Sequence, residues 1–268
     1  MRYSTILLAL LGVLVARRAR AQVDPFEFEV YPYQTVGRGV AEIESLNSYV
    51  PKGHTEGDSG LSSGTLPSDL MYRTALEFTY GLTDEIEAAA YVNLAKPNSE
   101  PFRYAGSKFR VRGSLFEQGE LPVDLGWYLE LEWHKTPQFD DTELELEFKP
   151  IVEKDFGRLE IDLNPIFEKA LNGPDQNKAI EFGYAAGLYY NYWHAFSPGV
   201  EFYGGVGLMD DADPLKEQNH YIFPVFRGAL PYGLEYNFGA GFGLTRGSDQ
   251  VITKVNIEFE HFIGALFN

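Results

Sequence analysis

The sequence lacks several features, and each absence narrows the class of protein. It contains no cysteine, which fits an exported bacterial protein. It has 22 Lys and Arg against 39 Asp and Glu, and this net charge of −17 argues against a nucleic-acid binder. Beyond residue 15, no stretch approaches the ~18 apolar residues that a membrane-spanning helix requires.

The first 21 residues have the pattern of a secretory signal peptide. Ile6–Val15 is an apolar run that follows Arg2 and is too short to span a membrane as a helix. Residues 19–21, Ala-Arg-Ala, provide a small-x-small cleavage pattern, so we expect cleavage after Ala21. Removing the four arginines of residues 1–21 would change the formal charge from −17 to −21.

Strict two-residue alternation is the dominant pattern in the rest of the chain. Between Leu70 and Leu82, apolar side chains such as Leu76 and Phe78 alternate with polar ones such as Arg73 and Glu77. Successive side chains of a strand point to opposite faces, so each such segment predicts a strand with one apolar and one polar face. The pattern recurs about eleven times, which is typical of a transmembrane β-barrel.

We therefore predict an all-β fold, with residues 40–268 forming a single antiparallel up-and-down barrel of about twelve strands; ten or fourteen remain possible. Both termini are expected in the periplasm, with short turns on that side and long loops outside. One turn is expected at Ser197–Gly199. The strand near Tyr221–Gly228 contains Pro224, which predicts a bulge or a missing ladder bond.

Residues 22–39 precede the predicted barrel and have a pattern of their own. Phe26, Phe28 and Val30 alternate with Glu27 and Glu29. The segment could be a periplasmic adaptor, a plug in the lumen or an extra piece of strand.

Three short stretches give the chain a resemblance to a known family. They are Tyr80-Gly81-Leu82-Thr83-Asp84 at a predicted turn, the run Asn164–Lys169 (NPIFEK) and the run Ser197–Tyr203 (SPGVEFY). On these motifs the chain resembles bacterial outer-membrane barrels described as transporters of the "MetA-pathway of phenol degradation" group. The resemblance implies an outer-membrane channel and brings no catalytic residues with it.

The inward-facing positions carry the charged residues that a channel would use. Pairing across the tight turn at Gln118–Leu121 is expected to set Arg110 opposite Glu130, where it would offset Glu130 and Glu147, and Glu147 is expected near Asp162. Carboxylates outnumber bases at the inward-facing positions, which suits a path that favours cations, although a charge ladder that only fills the barrel is an alternative. A fixed site for a hard ion such as Ca²⁺ is a third possibility, but no loop has a spaced ligand motif, so no metal site is predicted. The predicted lumen-lining residues are Arg73, Glu77, Glu87, Lys108, Arg110, Arg112, Glu130, Glu132, Glu145, Glu147, Asp162, Glu258 and Glu260.

The predicted function is passive passage of small solutes, with cations favoured, across the bacterial outer membrane. The expected partners are the lipid bilayer, lipopolysaccharide, small solutes or cations and the outer-membrane insertion machinery; no cofactor and no nucleic acid are expected. A scaffold barrel that binds a partner at its rim is the alternative. A lipid-modifying enzyme is less favoured, because none of the five histidines has a serine in a matching alternation. The sequence thus predicts no catalytic residues.

Overall fold

A computed structural model describes residues 23–57, 66–134, 144–173 and 175–260. These residues form thirteen strands: β1 (Ala41–Lys52), β2 (Tyr72–Gly81), β3 (Ile86–Lys96), β4 (Arg103–Ser114), β5 (Asp124–His134), β6 (Leu144–Phe156), β7 (Leu159–Ala170), β8 (Glu181–Tyr190), β9 (Ser197–Leu208), β10 (Asp211–Ala212), β11 (Asn219–Leu230), β12 (Leu234–Gly243) and β13 (Val251–Glu260). The predicted signal peptide lies outside the described residues. Among the described residues, no helix is long and apolar enough to span a membrane.

Twelve of the strands form a closed antiparallel barrel, as the alternation predicts. Each barrel strand pairs with its neighbours in the chain, and β1 pairs with β13 to close the ring. The two-residue β10 pairs only with β9, within the connection to β11. Closure leaves no free sheet edge, which is the condition for strands to lie in hydrocarbon.

The outer face of the barrel is apolar. Half-exposed side chains such as Leu76, Phe109, Leu129 and Phe238 point outward, while the residues between them face the lumen and are buried or partly buried. This arrangement follows from the period of two in each strand. The fold is that of a barrel with a lipid-facing band and a charged interior.

The strand that contains Pro224 has a missing ladder pairing and no bulge. β11 pairs with β12 at Ile222 and again at Val225 in the same register, and the two positions between them are unpaired on that side. Pro224 points outward and is exposed. Proline has no backbone N–H to donate to a neighbouring strand. The gap in the pairing of β11 with β12 therefore coincides with Pro224.

The prediction of a turn at Ser197–Gly199 is wrong. Ser197 begins β9, and the connection lies at residues 191–196, where an isolated bridge joins Trp193 and Phe196. Pro198 is accommodated because it is the second residue of the strand, where a missing N–H disturbs the ladder little.

Residues 23–36, here called the lumen segment, run inside the barrel. The Pro25 carbonyl accepts a hydrogen bond from Ser48, in the half of β1 that leads to a long loop. At the other end of the segment, the Val36 N–H donates to Glu87, at the short-turn end of β3. The segment therefore follows the barrel axis through the lumen before the chain turns back into β1.

Candidate functional site in the barrel lumen

Two carboxylates of the lumen segment bind the two lysines of the facing wall. Glu27 lies 2.9 Å from the Nζ of Lys108 and 3.0 Å from the Nζ of Lys149. Asp24 forms a further ion pair with Lys108. The side chains of Glu27, Lys108 and Lys149 are almost fully buried. These ion pairs therefore hold the segment against β4 and β6.

Three tyrosines surround the same bases. Tyr31 belongs to the lumen segment, and Tyr91 and Tyr128 project from β3 and β5. The Nζ of Lys149 lies 4.3 Å from the centre of the Tyr128 ring, and the Arg110 guanidinium lies 5.2 Å from that of Tyr31. Ring faces attract cations, so the cluster stabilises the bases where little water reaches them.

The backbone of the lumen segment is also hydrogen-bonded to the wall. The amide of Asn164 exchanges two hydrogen bonds with the backbone of Tyr31, at 2.7 and 3.1 Å. Lys254 donates to the Phe28 carbonyl at 3.0 Å. Arg112 donates to the Gln34 carbonyl at 2.9 Å. Within the segment, the N–H groups of Glu27 and Glu29 donate to the carbonyls of Asp24 and Glu27, and the wall side chains satisfy other buried polar groups of its backbone.

Apolar contacts fix the segment on the remaining sides. Phe28 and Val30 pack in a buried cluster with Val50, Phe223 and other wall residues. Phe26 packs in a second cluster that includes wall residues of β1 to β4. The lumen therefore has an apolar part that matches the segment, in addition to its charged part.

A row of four glutamates crosses four adjacent strands on the inner wall. The register pairs Glu77 of β2 with Glu44 of β1. Glu44 is in turn paired with Glu258 of β13, and Glu258 with Glu235 of β12. Glu77 forms an ion pair with Arg110 at 2.7 Å. Within the described residues, no basic side chain lies within 4.0 Å of the carboxylates of Glu44, Glu258 or Glu235. Like charges in direct opposition are unfavourable, so the part of the row formed by Glu44, Glu258 and Glu235 is an acidic surface without a paired base among the described residues.

The glutamate row faces a cavity of about 660 Å³ toward the short-turn end of the barrel. The lumen segment contributes Glu29 and Tyr31 to its lining, and Arg227 and Trp193 lie on another side. Arg227 is engaged by Glu160 at 2.5 Å and by the ring of Tyr189 at 3.5 Å. The cavity therefore has an acidic wall together with bases that already have partners.

Most of the predicted lumen residues contact another charged side chain of the lumen. Lys108 contacts Glu130 and Glu132, and Arg110 and Arg112 share Glu87, with Glu77 also bound to Arg110. Glu145 lies 3.9 Å from His134, and Glu147 lies 2.8 Å from Lys149. Asp162 lies 4.0 Å from Arg227, and Glu258 and Glu260 lie on β13. Arg73 is buried, and its Nε and Nη1 atoms have no hydrogen-bond partner within the part of the chain that the structure describes.

Two details of the predicted charge pattern are wrong. The expected register holds, with Arg110 opposite Glu130 and Glu130 opposite Glu147, but Arg110 binds Glu77 and Glu87 instead. Register fixes Cα positions only, and a long arginine side chain reaches diagonal neighbours. Glu147 is opposite Glu168 and not near Asp162, which is opposite Glu153.

Several interior residues were not among those predicted. Glu27 and Glu29 belong to the lumen segment, and Glu42 and Glu44 belong to β1, where the alternation is mixed. The one signal in the sequence was the alternation of Glu27 and Glu29 with Phe26, Phe28 and Val30. That pattern indicates an extended segment with two different faces, but not which wall residues each face contacts.

No family model matches the chain, and no curated protein does. An outer-membrane channel from Pseudomonas putida F1 superimposes with a TM-score of 0.57 at 11% identity, over 87% of this chain and 99% of that one. The KdgM porin superimposes with a TM-score of 0.52 at 8% identity, over 81% and 98%. This likeness shows the fold. It is the fold of outer-membrane β-barrels.

Proposed function

We propose that this protein is an outer-membrane channel for passive passage of small solutes, that its acidic lumen favours cations and that the lumen segment closes it. The observation that carries the proposal is the glutamate row beside the cavity. Rows of carboxylates in a pore wall concentrate cations and repel anions. The apolar outer band and the closed barrel support a location in the outer membrane.

The lumen segment fills much of the space through which a solute would pass. Its burial of Phe26, Phe28 and Val30 stabilises the docked position, at about 1.5–3 kcal/mol for each large apolar side chain. The ion pairs of Glu27 add to this. A solute therefore passes only when the segment shifts or leaves, and we assign to it the role of a plug.

The acidic wall also bears on the class of solute. A structure of the KdgM porin holds oligogalacturonate, a chain of acidic sugars. The row Glu77, Glu44, Glu258 and Glu235 would repel such a polyanion. We infer that the solutes of this channel are neutral or cationic.

The decisive experiment is single-channel recording in planar bilayers. We expect the full-length protein to conduct weakly and a variant lacking residues 22–36 to conduct strongly. In a salt gradient, the reversal potential of that variant should be displaced toward the Nernst potential of the cation. The variant Glu44→Gln/Glu258→Gln in the same truncated background should lose much of that displacement. Glu120→Gln, in an exposed turn, serves as the matched charge control.

A non-conducting scaffold barrel is the second candidate, and the dense packing around the lumen segment favours it. Background current from both the full-length protein and the truncated variant would support this alternative and contradict the channel. We propose no enzymatic activity, and lipid hydrolysis by the purified protein would overturn that part.

A further inference from the structure

We propose that Glu29, Glu44 and Glu77 form a binding site for a hard divalent cation, best matched by Ca²⁺, between the lumen segment and the barrel wall. One carboxylate oxygen of each residue lies within 4.8 Å of the other two. The three residues belong to the lumen segment, β1 and β2, so the site has no local sequence motif. It is independent of whether the barrel conducts.

Two of the carboxylates have an oxygen without a hydrogen-bond partner among the described residues. These are the buried Oε2 atoms of Glu77 and Glu29. Glu77 is only 4% exposed, and its other oxygen is held by Arg110 at 2.7 Å. A buried carboxylate oxygen without a donor is costly, and a cation between the two groups would remove that cost.

The number and type of the ligands favour Ca²⁺. Two ligands on opposite sides of a Ca²⁺ ion stand about 4.6–5.2 Å apart, so oxygens within 4.8 Å of one another can all bind the same ion. Mg²⁺ demands near-ideal octahedral geometry and is usually bound by only one or two carboxylates, so a set of three suits Ca²⁺ better. Carboxylates are the ligands that such hard ions prefer.

The surroundings can complete the coordination shell. Ca²⁺ takes six to eight oxygens, and three carboxylates provide between three and six. Glu29, Glu44 and Glu77 all line the cavity of about 660 Å³, from which water can supply the others. Glu258, opposite Glu44, adds a further negative charge beside the site.

A second acidic group in the lumen is a poorer candidate. Glu153, Glu160 and Asp162 also have oxygens within 4.8 Å of one another. There, however, Arg227 lies 2.5 Å from Glu160 and already supplies a positive charge. The Tyr33 N–H donates to Glu153 at 2.7 Å. Protein groups thus compensate two of the three carboxylates here, Glu160 and Glu153, whereas in the first group only Glu77 has a base, although neither oxygen of Asp162 accepts a hydrogen bond within the described residues.

Calorimetric titration of the detergent-solubilised full-length protein with CaCl₂, after treatment with a chelator, tests the site. We expect one saturable site per chain, with weaker binding of MgCl₂. Each of Glu29→Gln, Glu44→Gln and Glu77→Gln should weaken Ca²⁺ binding by about tenfold or more, because each removes a charged ligand. Circular dichroism would confirm that each variant retains its strands.

Glu235→Gln is the matched control, because it removes a charge from the same glutamate row without touching the three clustered oxygens. It should leave Ca²⁺ affinity within about twofold. Equal weakening by Glu235→Gln and Glu44→Gln would mean a diffuse acidic field and would overturn the site. So would the absence of saturable binding to the wild-type protein.

A second measurement tests the part of the site that belongs to the lumen segment. The chain has no cysteine, so Val23→Cys provides a single thiol near the start of the segment. Ca²⁺ should slow labelling of this thiol by a small maleimide, and Glu44→Gln in the same background should abolish the effect. Labelling that Ca²⁺ does not change would exclude Glu29 as a ligand.

Discussion

At the scale of residues, the most deeply buried ion pair of the described lumen joins Lys254 to Glu201. Both side chains are fully buried. Lys254 also donates to the Tyr203 hydroxyl, and Tyr189 and Asn237 donate to Glu201. Because Lys254 reaches the Phe28 carbonyl as well, this group connects the wall to the lumen segment.

Replacing Lys254 by Met should therefore destabilise the protein strongly. The change leaves the Glu201 carboxylate buried without its cation, and losing one partner of a buried pair costs about 3–5 kcal/mol. The free energy of unfolding, measured by urea titration of the protein folded in lipid vesicles, checks this. Lys216→Met is the control, since its ion pair with Glu217 is exposed and should be worth about 0–1 kcal/mol. Equal losses for the two variants would contradict the burial of Lys254.

Two glycines show how residue size shapes this group. A Cβ at Gly187 or Gly199 would stand 2.3 or 2.4 Å from the ring of Tyr189, which is closer than atoms can approach. Their lack of a side chain therefore leaves room for Tyr189 to lie across the wall, under Arg227 and against Glu201. The sequence shows the glycines, but not which ring occupies the space they leave.

At the scale of elements, strand positions could be predicted wherever one face meets lipid. The alternation in β5 is clean because its outward residues face hydrocarbon and its inward residues are polar. In β1, Glu44 faces the acidic cavity whereas Leu46 and Val50 face the phenylalanines of the lumen segment, so its inner face is mixed. That mixture depends on where the segment docks, and docking between distant parts of the chain is not encoded in local periodicity.

The lipid-facing phase of β5 gives a depth-dependent prediction. Leu129 lies near the middle of the strand and is 41% exposed on the outer face, between Val111 of β4 and Phe148 of β6. Leu129→Arg should cost about 2–4 kcal/mol, because it places a charge near the bilayer midplane. Leu125→Arg, near the end of the same strand, should cost about 0–1 kcal/mol. Folding free energies in vesicles of fixed thickness measure both, and a larger cost at Leu125 would mean that the band is misplaced along the strand.

At the scale of the whole molecule, closure of the ring and filling of the lumen act together. Every barrel strand is paired on both sides, so detergent finds no edge at which to begin unfolding. Inside, the lumen segment contributes aromatic and aliphatic side chains to two of the three buried apolar clusters and Tyr31 to the third. The stability of the barrel is thus shared between the backbone ladders and a segment that is not part of any strand.

Because both the backbone ladders and the lumen segment stabilise the barrel, we can predict how the protein behaves in SDS. The full-length protein should fractionate with the outer membrane, give a strand-dominated circular dichroism spectrum and keep its folded mobility on a gel until it is heated. The variant lacking residues 22–36 should retain the strands, because the β1–β13 ladder is intact, but should convert at a lower temperature, because Lys108, Lys149 and the apolar wall lose their partners. Gel mobility after heating in steps of temperature measures the difference. An unchanged conversion temperature would mean that the lumen segment is not docked in the lumen. Recovery of the full-length protein in the soluble periplasm would contradict a membrane barrel.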